Sequence, residues 1–273
     1  MIEEIFHAQE AISISISNET NSPIFEPKVG ETPLWETVNI SALFDREITK
    51  KNISEILNLI PYDNLSVSQI KDKNWVLSYQ KDFQPRKFGK KLWVYPSWAE
   101  IPYKTNKVIL KMDPGLAFGT GSHQTTHLCL EYLDKNPPKG DKVLDYGCGS
   151  GILGIAALKL GAKKTFATDI DPQALIATKI NSKKNNLNEN IFISIPEDFK
   201  NIKVDILIAN IFINSLIELK DDFCRLLKSG GRLILSGILK SQIHQVCNSY
   251  NNNFAHKNIK YKDEWCLIEF KKK

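Results

Sequence analysis

Val143-Leu-Asp-Tyr-Gly-Cys-Gly-Ser-Gly-Ile-Leu-Gly154 places a short apolar run, three glycines spaced two apart and the start of a helix-forming segment in immediate succession. The apolar run suits a buried strand, and Ile152-Leu-Gly-Ile-Ala-Ala-Leu-Lys-Leu160 suits a helix that Gly161 closes. Glycines at a strand-to-helix turn let the backbone approach a ligand and leave helix N–H groups free to bind it. A small nucleotide-like ligand is therefore expected at this turn.

Working outward, strand-like and helix-like segments alternate, which predicts a doubly wound α/β sheet. Thr165–Asp169 reads as a second strand, and Asp171-Pro172 as an acidic cap with proline in the first helical turn. Ile191–Ile195, Val204–Ala209 and Arg232–Ser236 read as further strands, with a helix over Leu216–Leu227 that Gly230-Gly231 caps and another over Ser241–Tyr250. Asn258–Tyr261 and Trp265–Phe270 have no helix between them, so they should pair antiparallel. Upstream, Ala11–Ser17 alternates strictly and reads as a half-buried strand. Trp35–Ser41 is a candidate strand, Ile53–Leu59 a candidate helix, and Ser66–Phe83 a polar helix joining the two halves. The division expected is 1–62 as a small α+β domain, 63–90 as a linker helix and 91–273 as the α/β domain.

Composition narrows the class. The chain has 273 residues, 42% hydrophobic and 25% charged, ordinary values for one large or two smaller globular domains. No apolar run approaches the ~20 residues of a membrane span, and Met1-Ile-Glu-Glu-Ile-Phe6 lacks the basic and apolar regions of a secretory signal, so a cytoplasmic location is expected. Five scattered cysteines without a CxxC pair read as reduced thiols, with no metal site implied. The formal charge of +5 is a mild excess, read as solvated surface rather than a sequence-specific nucleic-acid footprint.

Two ligands compete for the glycine turn. Gly149-x-Gly151-x-x-Gly154 fits a dinucleotide pattern, and Asp169 lies 18 residues beyond Gly151, near where an acid would hold a ribose. Charge favours the alternative. A carboxylate at Asp145 would repel a pyrophosphate but attract S-adenosyl-L-methionine, which has an ammonium and a sulfonium and no phosphate. On this reading Asp169 accepts from ribose hydroxyls, with capping of the next helix better served by Asp171. Asn210, after the fourth strand, sits where open α/β sheets gather ligands, though asparagine is also an ordinary residue for a turn at a strand end.

Met112-Asp-Pro-Gly-Leu-Ala-Phe-Gly-Thr-Gly-Ser-His-Gln-Thr-Thr126, Asp145–Leu153, Asp169-Ile-Asp-Pro-Gln173, Ala209-Asn210 and Ser236-Gly-Ile-Leu239 resemble the PrmA family of ribosomal protein methyltransferases. The likeness continues upstream through Phe25-Glu-Pro27, Gly30–Trp35, Asp72-Lys-Asn-Trp75 and Phe88–Trp98, covering nearly the whole chain. The resemblance implies a seven-stranded, mostly parallel sheet with an antiparallel last strand, preceded by a small N-terminal domain that recognises substrate. It implies S-adenosyl-L-methionine as donor, held through Thr126, Gly147, Gly149, Asp169 and Asn210. The implied acceptors are lysine and N-terminal amines of the eleventh large-subunit ribosomal protein, modified by a monomer without a metal or membrane. No catalytic base is assigned, and His123 is read as bracing its loop. Two departures stand out: the chain begins inside the family's first helix, suggesting a trimmed recognition domain, and Ile211-Phe-Ile213 is bulkier than the family's small residues. Methylation of another protein or a small amine, a non-catalytic ribosome-binding module and a nicotinamide-dependent dehydrogenase are the competing readings.

Overall fold

The computed structural model describes residues 2–18, 24, 30–57, 60–70, 83–101, 106–113, 119 and 121–273. Its contacts divide the chain into two compact units, Met1–Lys73 and Asn74–Lys273. The first unit contains helix α1 (Ile2–Ala8), strands β1 (Ser13–Asn18) and β2 (Val38–Leu43), and helix α2 (Lys50–Ile56). β1 and β2 pair antiparallel, and the expected alternation of β1 is present in its burial pattern. Phe6, Ala11, Ile53 and Leu57 form a small core. α2 starts before the expected Ile53 because Thr49 caps it: Thr49 Oγ1 accepts from the Asn52 N–H, and Asn52 Oδ1 accepts from the Thr49 N–H.

The second unit opens with strands β3 (Arg86–Phe88), β4 (Leu92–Tyr95) and β5 (Val108–Lys111), β3 antiparallel and β5 parallel to β4. Strand β3 shortens, at its far end, the linker expected over 63–90. Residues 64–70 carry no helix, Arg86–Phe88 is a strand, and 71–82 lie outside the described residues. Phe88 and Leu92 are fully buried, and the Asp134 carboxylate accepts from the N–H groups of Lys91 and Leu92 at 3.0 and 2.9 Å. Those contacts reward a hairpin that the polar helical pattern did not disclose.

Helix α3 (Gln124–Lys135), β6 (Lys142–Tyr146), α4 (Ile152–Lys159), β7 (Lys164–Thr168), α5 (Pro172–Lys184), β8 (Ile191–Ser194) and β9 (Val204–Asn210) follow. The chain ends with α6 (Ile213–Glu218), α7 (Lys220–Leu226), β10 (Leu227–Leu239), α8 (Ile243–Tyr250), β11 (Phe254–Lys262) and β12 (Trp265–Lys272). The seven-stranded sheet has the order β11-β12-β10-β9-β6-β7-β8. β10, β9, β6, β7 and β8 run parallel, and β12 is antiparallel to both its neighbours. The doubly wound α/β class and the antiparallel end strands are as expected.

One expected helix end differs. Two short helices replace Leu216–Leu227, and Gly230-Gly231 lies inside β10, where the register against β9 shifts between Leu227 and Arg232. Leu227 is fully buried and pairs with Val204, so extended pairing begins there and the glycines form a bulge instead of a helix cap.

Alternation along the strands sorts the core onto two faces. Val143, Ile206, Ile208 and Ile234 pack with Leu128, Leu133 and Ile155, while Leu144, Leu207, Leu233 and Leu235 pack with Leu216, Phe223, Val246 and Tyr250. On the second face Phe270 is 1% exposed and stacks on Tyr250 at 5.4 Å. Phe270→Ala should therefore lower unfolding free energy by about 3–5 kcal/mol, because the ring leaves a cavity that packed neighbours fill only in part. Urea unfolding checks this, and a loss under about 1 kcal/mol would show that the face collapses around the gap.

Candidate active site

β6, β7 and β9 deliver their carboxyl ends to one edge of the sheet, and the turn after β6 is built there. Gly147 has φ 73°, and a Cβ on it would lie 2.3 Å from Ile211 Cγ2, so the loop after β9 closes directly on its backbone. The N–H groups of Gly147 and Cys148 donate to the Thr168 carbonyl at 2.8 and 2.9 Å, stitching the turn to the end of β7. The Gly149 N–H donates to Asp169 Oδ2 at 2.9 Å, and the Gly149 carbonyl accepts from Thr178 Oγ1 at 3.0 Å. Gly149 thus holds the acid in place through its N–H.

Asp169 is half-buried and takes its second N–H bond, at 3.0 Å, from Asp171 to Oδ1. Asp171 in turn caps α5 through the Gln173 N–H, leaving Asp169 outside the capping role. Each Asp169 oxygen keeps lone-pair capacity for a further donor such as a ribose hydroxyl.

Asn210 closes β9, and its Nδ2 lies 3.4 Å from Oγ1 of Thr126, which is 1% exposed in the first turn of α3. Residues 84 positions apart are thereby brought together. Asn210 Oδ1 is buried and has no hydrogen-bond partner, an arrangement that invites a ligand donor because orphaned buried acceptors are rare. Thr168 Oγ1, beside Asp169, is buried and unpartnered in the same way and was missed from sequence; an ordinary strand threonine gives no local signal of it.

The stretch before α3 is tied to the turn. Ser150 Oγ donates to the Gly119 carbonyl at 2.6 Å. Asp113 Oδ2 accepts from Lys184 Nζ at 2.6 Å and from Ser97 Oγ at 2.8 Å. Burial pushes the Asp113 carboxyl up, but the bonds from Lys184 and Ser97 outweigh it and hold the pKa below the ordinary carboxylate value. Positions 114–118 and 120 of the motif lie outside the described residues.

Comparison with known proteins supplies the family. The family model described as "Ribosomal protein L11 methyltransferase (PrmA)" matches residues 1–273. A ribosomal protein L11 methyltransferase from Shewanella sp. (strain W3-18-1) is 42% identical over 277 aligned residues, covering 100% of this chain and 94% of that protein. One from Glaesserella parasuis serovar 5 (strain SH0165) is 45% identical, covering 94% of this chain and 89% of its own. Among solved structures, a ribosomal protein L11 methylase from Lactobacillus delbrueckii subsp. bulgaricus superposes with TM-score 0.62 at 31% identity, covering 70% of this chain and 100% of that one. The chain belongs to the PrmA family.

Within this PrmA chain, the tempting His123 is a brace. It is the N-cap of α3, its Nδ1 accepts from the Thr125 N–H at 3.3 Å, and its ring stands edge-on to Trp265 at 5.0 Å. Burial holds its pKa below the ordinary imidazole value. Among the described residues no cluster of three or more His, Cys, Asp or Glu side chains could hold a metal ion, and no helix is long and apolar enough to cross a membrane. The five cysteines are free thiols, and burial pushes Cys129 up to about 12 and Cys148 up as well, which suppresses their thiolates. Phe212, two residues past Asn210 and 67% exposed at the N-cap of α6, is a large apolar side chain at the mouth of the same edge. The bulky run Ile211-Phe-Ile213 was the sequence signal for it.

Asp145 departs from the role given to it by charge alone. It is 1% exposed, and its Oδ2 accepts the Gly154 N–H of α4 at 2.8 Å, so it satisfies a helix end. Burial, partly offset by that bond and reinforced by the charge of Asp169, pushes its pKa up to about 7. A carboxyl whose pKa rises on folding stabilises the fold most when protonated, so its contribution falls as pH climbs from about 4 through about 7. Asp145→Asn keeps the acceptor and removes the charge. It should melt at a higher temperature than the parent at pH 8, with the gap shrinking steadily towards pH 4; a gap independent of pH would refute the buried-charge account.

Proposed function

We propose that this chain transfers methyl groups from S-adenosyl-L-methionine to lysine and N-terminal amines of the eleventh large-subunit ribosomal protein. The observation that carries the reading is Asn210, joined to Thr126 and presenting an unpartnered buried Oδ1 at the same edge as Asp169. The donor set fits the methyl donor: a carboxylate with spare lone pairs for ribose hydroxyls, and an amide oxygen that needs a donor such as an ammonium. Gly147 allows a ligand to lie against the turn.

When bound, the donor supplies an electrophilic methyl on a positively charged sulfonium, and a neutral amine is its natural partner. The protein's task is mostly alignment and exclusion of water. A free lysine has a pKa of ~10.4, so its proton must leave to solvent before attack. Phe212 and Ile211 beside Asn210 lower the polarity around the incoming amine, and desolvation favours its neutral form. Asn210 orients, Asp169 holds the sugar, and no side chain is assigned as general base. The first unit, with its exposed strand pair β1–β2, recognises the protein substrate, and the reading takes the protein as a cytoplasmic monomer that needs no metal.

Incubation of the purified chain with S-adenosyl-L-methionine and the ribosomal protein, followed by peptide mass spectrometry, tests the substrate. Methylated lysine and N-terminal peptides are expected; donor binding by calorimetry without any modification would overturn the substrate and leave the donor site standing. Asp169→Ala should weaken donor binding by roughly 10- to 100-fold, equivalent to about 1.4–2.8 kcal/mol. Undiminished affinity would remove Asp169 from the site.

A further inference from the structure

Because β10, β9, β6, β7 and β8 are parallel, their amino ends share one edge of the sheet, opposite the edge that carries Asn210 and Asp169. Antiparallel β12 finishes at that same edge, where Lys271 lies across from Arg232. Cations collect along it. Lys203 precedes β9, Lys142 opens β6, Lys163 precedes β7, Lys139 lies in the loop leading to β6, and Lys271 and Lys273 end the chain beside β12. All six are exposed.

Two carboxylates of this edge are engaged, and Glu189, just before β8, is exposed at its far end. Asp141 pairs with Arg232 at 2.9 Å, and Asp205 pairs with Lys228 at 2.5 Å while accepting the Lys142 backbone N–H at 2.9 Å. None of the six lysines forms an ion pair with a described residue; Lys203 and Lys273 donate only to main-chain carbonyls. Lys142 lies within electrostatic reach of Asp205 and helps to lower its pKa, while the other five face no described carboxylate in an ion pair. Strands lie about 4.8 Å apart, and the four steps from β12 to β7 make the row roughly 20 Å long.

We propose that this basic edge is a docking surface for the phosphodiester backbone of single-stranded RNA, which anchors the enzyme while the opposite edge is left open to its substrate. Anion chemistry follows from the row of unpaired ammoniums, since phosphate contacts with lysine release counterions and carry no sequence requirement. A lipid surface fits less well. Of the large exposed apolar side chains described in the second unit, only Phe192 stands near a strand start, and Lys164 Nζ covers its ring at 3.8 Å, so the edge offers little to insert among acyl chains. The choice of RNA rests on the ribosomal-protein reading above; the polyanion surface rests on the charges alone.

Fluorescence anisotropy with labelled oligouridine tests this on the full chain. Six contacts predict a slope of log affinity against log salt of about −4, at roughly −0.7 per phosphate neutralised. The triple variant Lys142→Gln, Lys163→Gln, Lys271→Gln should halve that slope to about −2 and weaken binding at low salt at least tenfold, with donor affinity unchanged. The corresponding arginine triple should restore binding, which separates loss of charge from loss of fold. Binding that is absent, insensitive to salt or equal in the glutamine triple would overturn the proposal, as would retention on phosphatidylserine vesicles with no affinity for the oligonucleotide.

Discussion

The hydrogen bond from the Gly149 N–H to Asp169 joins two elements of the site that are remote from each other in the chain. Together with the Gly147 and Cys148 N–H groups on the Thr168 carbonyl, it locks the turn after β6 against the end of β7. A turn so constrained has little freedom to move. Gly147 must stay a glycine because the loop after β9 approaches within a distance that excludes a side chain. The close approach then places Asn210 next to the same turn and within reach of Thr126. Three segments of the fold meet through these contacts before any substrate arrives.

Electrostatics gives the sheet two unlike ends. At the carboxyl end two acids lie near each other, one buried and raised towards neutrality, the other half-buried and held by two N–H groups. Mutual repulsion makes the pair costly, and a cationic ligand would relieve the cost. At the amino end Lys203, Lys142 and Lys163 stand at or just before the starts of β9, β6 and β7. The same topology that gathers the loops after β6, β7 and β9 sets these charges at opposite edges of the sheet. Parallel strands impose that polarity, since their starts and ends cannot be interchanged.

Some elements were legible in the chain and others were hidden. The strand at Val143, the proline-initiated helix after Asp171 and the antiparallel final pair follow from local pattern and from connection length, and they are all present. The hairpin of β3 and β4 was hidden because Asp134, more than 40 residues away, supplies the bonds that stabilise it. Gly230-Gly231 was misread as a helix cap for a related reason: a pair of glycines marks a break in regular structure, but partner strand β9 decides which break. Asp145 shows the limit for charge. Its residue type announced an acid beside the turn, whereas its burial and its bond to the Gly154 N–H made it a helix-end acceptor with a raised pKa.

Taken alone, the sequence determined the alternation of strands and helices, the glycine turn and the family likeness, because each is written in residues close together. Through that likeness it also implied Thr126, Gly147, Gly149, Asp169 and Asn210 as a group. Only the tertiary structure decided their hydrogen bonding: Asn210 Oδ1 is left without a partner, the Gly149 N–H is spent on Asp169, and Asp169 keeps capacity for another donor. The physical reason is that a hydrogen bond's partner and a carboxyl's solvation depend on what packs around them, and packing brings together residues that the chain keeps apart.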